Sequence, residues 1–370
     1  MDQERLAFLA LHFVPGVGDH LMKQLIAYCG SASAVFSKPK GKLLKVPGVG
    51  EVTAQAIASG NPFHDAEKEF LKAEKEGVTL LFFTDKSYPE RLKAIEDAPS
   101  LLYWKGNANL QHHKTVGLVG TRQATNYGKE MVDRIVEELV AHQVIIVSGL
   151  AYGIDIQAHK QALKKNLPTI GVMGSGLDVI YPAAHKETAR KMTELGGLLT
   201  ENRFGTKPDA HNFPARNRII AGLCDALIIV EAAETGGALI TADIANSYNK
   251  DVFAVPGSLQ QNFSAGCNKL IKTNKAHLYT GVKDLEYIMN WQPQTEATHH
   301  NATSPMTWRD LSDEEQTIVN ALKQKKEGTQ LDEIAWRTGI PLGPLASLLL
   351  NLEFKNVVKS LPGKMYALTR

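Results

Sequence analysis

The sequence predicts a doubly wound α/β protein with a mostly parallel sheet at its centre, a helical domain before it and a winged-helix domain after it. Three observations carry this expectation. From Lys114 onward, short continuous apolar runs alternate with amphipathic helical stretches. Those runs end in polar, glycine-rich segments. The flanking regions lack the alternation and read instead as helices punctuated by Pro-Gly turns.

Residues 1–70 read as short helices, with the tetrapeptide PGVG at Pro15–Gly18 and again at Pro47–Gly50. Each copy follows an apolar helix end and precedes a second helical stretch, which is the helix-hairpin-helix (SAM-like) pattern. The free N–H groups opening such a second helix can hold a phosphate. The turns can equally be plain connections, because Lys23 is the only Lys or Arg in the helix after the first copy and the helix after the second has none among its first residues.

Residues 71–290 form the central domain. VTLLFF (78–83) and LLYW (101–104) lead into strand-like runs at 115–120, 144–149, 169–174, 197–201, 226–231 and 252–257. Continuous apolar runs suit strands buried on both faces, and helices such as GKEMVDRIVEELVAH must cover those faces. Open sheets of this kind bind ligands at the C-terminal strand ends. Residues 291–306 are polar and patternless, a linker. Residues 307–370 read as three helices and a Pro-Gly hairpin, the winged-helix pattern. Its third helix is Leu-rich and offers base edges only Asn351, with Lys355 just beyond, so a structural or protein-contact role is favoured over DNA reading.

Composition narrows the class without choosing the ligand. The 370 residues are 44% hydrophobic and 22% charged, an ordinary globular balance. No apolar run reaches the ~18–20 residues of a membrane span. The start, MDQERLAFLALHF, lacks the basic region of a signal peptide. Cys29, Cys224 and Cys267 are far apart, which supports neither a disulfide framework nor a zinc site and suits the reducing cytoplasm. The net charge is only +2, so any contact with nucleic acid must come from locally placed cations.

Those cations sit at strand ends. VGTRQATNYG offers the loop Gly120-Thr121-Arg122, whose arginine is a fork for phosphate or the partner of a nearby acid. It is not the dinucleotide fingerprint, since GxGxxG is absent and the next strand ends in Ser-Gly. SGLAYGID supplies Gly149, and GSGLDVIYP supplies only a weak nucleotide signal. Asp155 and His159 lie one turn apart; a helix cap beside a packed histidine is the favoured reading over an acid/base pair. The element HNFPARNRIIAGL sets Phe213 beside Arg216, Asn217 and Arg218, and a ring next to cationic forks suits a single strand. Either arginine can instead bridge to acids, because a buried guanidinium needs a partner. Thr235, Gly236 and Gly237 form a further anion-holding turn ahead of a helix. That turn partly resembles the Pro-Gly-Gly-x-Gly-Thr loop of nucleoside-monophosphate phosphoribohydrolases, without the proline, the third glycine or the catalytic glutamate. No Walker, HExxH, GxSxG or paired-cysteine motif occurs.

Seven of these segments in order, VGTRQATNYG, SGLAYGID, GSGLDVIYP, FPARNRIIAG, EAAETGGALITA, VFAVPG and CNKLI, resemble the DNA-processing protein A (DprA/Smf) family across about Tyr88–Val282. The resemblance implies an extended Rossmann domain that binds single-stranded DNA and forms a homodimer. It also implies a mediator that protects incoming DNA and loads the RecA recombinase during natural transformation, without catalytic activity, cofactor or metal. Carried onto this sequence, it points to Arg122, Phe213, Arg216, Asn217 and Arg218, with Lys207, Gly120, Thr121, Gly149 and Gly236 as further contacts. NRFG at Asn202–Gly205 and Cys224 depart from the family pattern near the crevice. The rival reading is a sensor or hydrolase of a nucleotide-derived small molecule, for which Glu231 and Asp243 are the nearest candidate carboxylates.

Overall fold

The computed structural model describes residues 2–59, 62–293, 311–323, 328–354, 357–361 and 365–368. The chain divides into two compact units, Met1–Thr295 and Glu296–Arg370. The expected linker falls, from residue 294 on, outside the described residues, as does Lys355.

The first unit is built on a nine-stranded sheet. Its strands are β1 (Thr79–Phe82), β2 (Leu101–Gly106), β3 (Thr115–Val119), β4 (Ile145–Ser148), β5 (Thr169–Val172), β6 (Gly197–Thr200), β7 (Ala226–Ile229), β8 (Asp251–Ala254) and β9 (His277–Leu278). They lie in the order β1-β2-β6-β5-β4-β3-β7-β8-β9. Every pairing from β6 across to β9 is parallel, whereas β1 and β2 run antiparallel at one edge. The extended Rossmann-like class is therefore the observed one. The two lead-in strands join the same sheet instead of standing before it. β9 had no signal in the sequence, because two exposed residues make no apolar run.

Why these runs form buried strands is visible in how they divide their side chains. Alternate residues must point to opposite faces. Val116 and Leu118 of β3 and Ile146 of β4 enter one core with the helices Asn126–Leu139 and Ile154–Lys164. Val119 of β3, with Ile145 and Val147 of β4, enters the other, against the helices Asn212–Leu223 and Gly237–Ser247. Chain order reverses at β3: β4, β5 and β6 lie on one side of it and β7, β8 and β9 on the other. Such a switch point leaves a crevice at the strand ends, where loops from both halves part.

The N-terminal helices share a core with β1 and β2, in which Phe8 packs edge-on to Phe82 at 4.8 Å. The first PGVG turn does open a helix, Asp19–Cys29, but that helix start faces the body of the unit. Asp19 accepts from the Ser100 backbone N–H (2.7 Å) and hydroxyl (2.6 Å). Lys23 donates to the Ala98 carbonyl at 2.6 Å and lies 4.3 Å from the Phe83 ring centroid. The second turn opens Glu51–Ala58, whose first residue pairs with Lys40 at 2.6 Å. A carboxylate thus stands at each helix start, where a phosphate would need to sit, and the plain-turn reading is favoured.

The second unit holds helices Asp313–Leu322, Leu331–Thr338 and Leu342–Phe354. Its strands β10 (Thr329–Gln330), β11 (Val358–Leu361) and β12 (Met365–Leu368) pair antiparallel in the order β10-β12-β11. This is a winged-helix fold. Leu345, Leu349 and Leu352 of the third helix are buried against Ile318 and Ile334, so its leucines serve the core, while Asn351 is exposed.

In the first unit one polar hub joins the layers. The Arg218 guanidinium ion-pairs with Glu201, just past β6, and lies 3.6 Å from Asp19 and 3.8 Å from Asp97. It also donates to the Asp97 carbonyl at 2.5 Å, and the Tyr248 hydroxyl donates to the Asp97 carboxylate. Burial pushes Glu201 up to about 7, opposed by Arg218 and assisted by the charges of Asp19 and Asp97. A carboxyl raised in the folded state favours its protonated form. Its contribution is therefore complete below its ordinary value of 4.5 and declines as pH rises to about 7. Glu201→Gln is expected to remove that decline. In urea unfolding, the variant should gain roughly 1–2 kcal/mol relative to the parent between pH 5 and pH 7.5. Equal loss in both proteins would mean that Glu201 is ionised throughout.

Candidate nucleic-acid interface

The strand-end crevice at the switch point encloses about 700 Å³. The loop after β3 forms one wall. Thr121 donates its N–H to the Glu231 carbonyl at 2.8 Å, and its own carbonyl accepts from the Ile154 N–H at 3.2 Å. Gly153, at φ +77°, makes this possible, because a Cβ there would fall 2.2 Å from the Thr121 carbonyl oxygen. Gly120 lies against Ile154 on the same side. The clamped loop holds Arg122 outward: it is exposed, and its guanidinium stands 5.4 Å from the Phe213 ring centroid. Among the described residues it carries no ion pair.

Glu231 lies two residues past β7 and is fully used inside. Its carboxylate accepts from the Thr125 N–H (3.0 Å) and hydroxyl (2.5 Å), locking β7 to the start of the helix Asn126–Leu139. It is 1% exposed. Asp243 is exposed and pairs with Lys275 at 2.8 Å. Neither acid demanded by the small-molecule reading is free in the crevice.

Arg216 is a different kind of arginine from Arg122. Buried on the helix Asn212–Leu223, it donates to the Gly149 carbonyl at the end of β4 and to the Val172 carbonyl at the end of β5. Its Nε–H donates to the Asn217 side-chain oxygen at 3.2 Å. The guanidinium rests on Gly149, where a Cβ would lie 2.5 Å from Nη1, so no larger residue fits. Buried Asp155, which accepts from the Gly149 N–H at 3.1 Å, opposes its charge electrostatically. Burial lowers Arg216 to about 10 and pushes Asp155 upward, and each opposes the other's shift. Asp155 is thus not the helix cap expected from the sequence, because the cap position is Gly153 with no side-chain bond and the carboxylate is turned to the Gly149 N–H instead; nor does it pair with His159. His159 is driven down to about 3 by burial and holds Thr169 at 2.6 Å, a packed neutral histidine.

The structure brings together Gly120, Thr121, Arg122, Phe213, Arg216, Asn217 and Gly236 around one crevice. Gly149 lies beneath Arg216 beside it. Asn217 also reaches the Gly237 carbonyl at 3.5 Å, next to the N-terminus of the helix Gly237–Ser247, where the Leu239 and Ile240 N–H groups donate to the Gly236 carbonyl and those of Gly237 and Ala238 precede the first helical bond. Lys207 is exposed one residue before Pro208, a crevice residue. Arg218 is not among the crevice residues; it belongs to the acid hub described above.

Sequence reasoning passed over two aromatics. Tyr181 lines the crevice and stacks on Phe213 with centroids 5.9 Å apart and planes 35° from parallel. Tyr152 is held edge-on to His185 at 4.9 Å. The signal was present in GSGLDVIYP and SGLAYGID, as an aromatic standing alone in a polar strand-end segment, but those segments were read for their glycines.

Comparison with known proteins gives the family. A family model described as "DNA recombination-mediator protein A" matches residues 79–290, and a "DprA winged helix domain" model matches 302–364. The chain is 32% identical to "Protein Smf" of Synechocystis over 99% of both chains. It is 38% identical to "DNA processing protein DprA" of Streptococcus pneumoniae, over 66% of this chain and 91% of that one. The crystal structure of the Streptococcus pneumoniae DprA superposes with a TM-score of 0.67 at 31% identity, covering 79% of this chain and 99% of the other. A Helicobacter pylori DprA structure, described as giving insight into a single-stranded DNA binding mode, superposes with a TM-score of 0.53 at 29% identity, covering 58% and 97%. With the central model spanning more than half of the sequence and a full-length relative above 30% identity, the chain belongs to the DprA/Smf family of DNA recombination-mediator proteins.

Proposed function

We propose that this protein grips single-stranded DNA in the strand-end crevice and hands it to a recombinase, without catalysing a reaction of its own. The observation that carries the reading is the exposed Arg122 guanidinium over the Phe213 ring, a cation and a stacking surface side by side on a rigid loop. Single strands are bound by this combination of phosphate attraction and base stacking. Asn217, Gly236, Thr121 and Lys207 supply polar donors and one further cation around it. Arg216, Gly149 and Gly120 act beneath the surface by fixing the walls. The engagement of Glu231 and Asp243 in internal contacts argues against hydrolysis in the same crevice.

The wider role follows the family. In this proposal the protein works in the cytoplasm as a homodimer, protects incoming DNA during natural transformation and loads RecA onto it. No described helix is long and apolar enough to cross a membrane. Purified protein should relieve the block that single-strand-binding protein imposes on RecA filament assembly; no acceleration of assembly would remove the mediator role.

Arg122→Ala is expected to leave thermal stability within about 0.5 kcal/mol, since the side chain is exposed. Affinity for a dT oligonucleotide should fall by roughly 1–3 kcal/mol, and the slope of log K against log salt should shrink by about 0.7, one phosphate contact. Unchanged affinity in fluorescence anisotropy would remove Arg122 from the interface.

Arg216→Ala should behave differently. It removes the guanidinium donor from the Gly149 and Val172 carbonyls and the positive charge that offsets buried Asp155, a loss of roughly 1–3 kcal/mol in folding stability. Adding Asp155→Asn should recover part of that loss in urea unfolding. A fully stable Arg216→Ala protein would show that the guanidinium is not structural.

A further inference from the structure

We propose that Tyr152 and Tyr181 form a second base-stacking subsite, continuous with the crevice, that receives the nucleobase next to the one held at Phe213. The proposal rests on the single-stranded DNA reading of the crevice and extends it.

Tyrosines elsewhere in the first unit show what a structural tyrosine looks like in this fold. Tyr88, Tyr103 and Tyr279 are at most 1% exposed, and the hydroxyls of Tyr88 and Tyr103 are satisfied inside at 2.6 and 2.9 Å. Tyr152 and Tyr181 are 49% and 47% exposed, so burial does not account for their rings. Both flank a shallow hollow whose other members include Arg122, Phe213, Gly149 and Arg216. Arg122 and Phe213 also line the main crevice, so the two depressions share a wall.

The rings are held in place before any ligand arrives. Tyr181 leans on Phe213, and Tyr152 stands against His185. His185 is itself buried, its Nδ1 in hydrogen-bond contact with the Leu150 carbonyl at 2.8 Å. Restrained aromatic faces lose little entropy on stacking, which favours a flat partner over an aliphatic one. With Arg122 at the shared wall to take the intervening phosphate, the surroundings suit consecutive nucleotides of one strand. A single mononucleotide would use one depression and leave the other empty.

The test measures binding of a fluorescein-labelled dT oligomer of about 30 nucleotides to the full chain and to Tyr152→Ala, Tyr181→Leu and Tyr181→Phe, with Arg122→Ala as reference. Tyr152→Ala and Tyr181→Leu should each weaken binding roughly 5- to 100-fold, the range for one lost base stack. Tyr181→Phe should bind as the parent, because it keeps the ring. Stacking releases no counterions, so neither loss should alter the salt slope, whereas Arg122→Ala should reduce it. Irradiation with 5-bromodeoxyuridine oligomers should attach DNA to the peptides carrying Tyr152 or Tyr181. If Arg122→Ala weakens binding while the tyrosine variants bind as the parent and no adduct forms, the subsite is overturned and the crevice reading survives. If the parent binds no single strand, both fall. Loss of binding together with loss of the folded thermal transition would mean that the tyrosines are structural, and would also overturn the subsite.

Discussion

The buried Arg216 guanidinium, bonded to the Gly149 and Val172 carbonyls, is the constraint on which the rest of the crevice depends. One guanidinium ties the ends of β4 and β5 to the helix Asn212–Leu223, and that same helix carries Phe213 near its start and Asn217 beside the arginine. Burying charged groups is a poor source of net stability, because desolvation offsets most of the Coulomb attraction. Its value here is geometric. Glycine at 149 is required by the same contact, since the guanidinium occupies the space of a side chain. Once the helix is fixed, the Phe213 ring has one place to be, and Arg122 and Tyr181 are arranged against it.

Two arginines separated by one residue therefore perform opposite tasks. Arg216 faces inward to the strand ends, while Arg218 faces the acids Glu201, Asp19 and Asp97 and joins the N-terminal helices to the body. Helical periodicity explains the split: two residues along a helix turn the side chain about 200°. The small net charge makes sense in this light. Part of the basic content answers acids of the same chain, whereas the exposed Arg122 carries no ion pair among the described residues.

The sheet was legible in the sequence because strands buried on both faces need unbroken apolar runs, and each of the six runs after Lys114 became a strand. β9 was illegible because two exposed residues leave no pattern. The antiparallel sense of β1 and β2 was not readable either, since register and direction come from long-range pairing and not from composition. At the site, spacing identified the right loops but not the state of each side chain. FPARNR read as one basic cluster, yet burial divides it into a pin, a bridge and a ring. No one-dimensional pattern distinguishes an arginine facing phosphate from one facing a buried carboxylate. Tyr152 and Tyr181 were overlooked for a related reason: an isolated aromatic is usually core, and only exposure shows otherwise.

A grip of this construction fits a strand that must later be released. Deeply buried cations would hold phosphates tightly, but here the buried guanidinium is already engaged by the Gly149 and Val172 carbonyls, and the exposed one stands near solvent. Attraction from an exposed cation is screened by salt and is modest for each contact. Stacking on half-exposed rings adds affinity without demanding a particular base, because every base has a flat face. Affinity built from such contacts adds up along the length of a strand, and each contact can be released separately. A catalyst would need the reverse arrangement, a closed pocket with a free acid or base aimed at one bond. In this crevice the acids are spent on holding the walls, which leaves a surface suited to carrying a polymer.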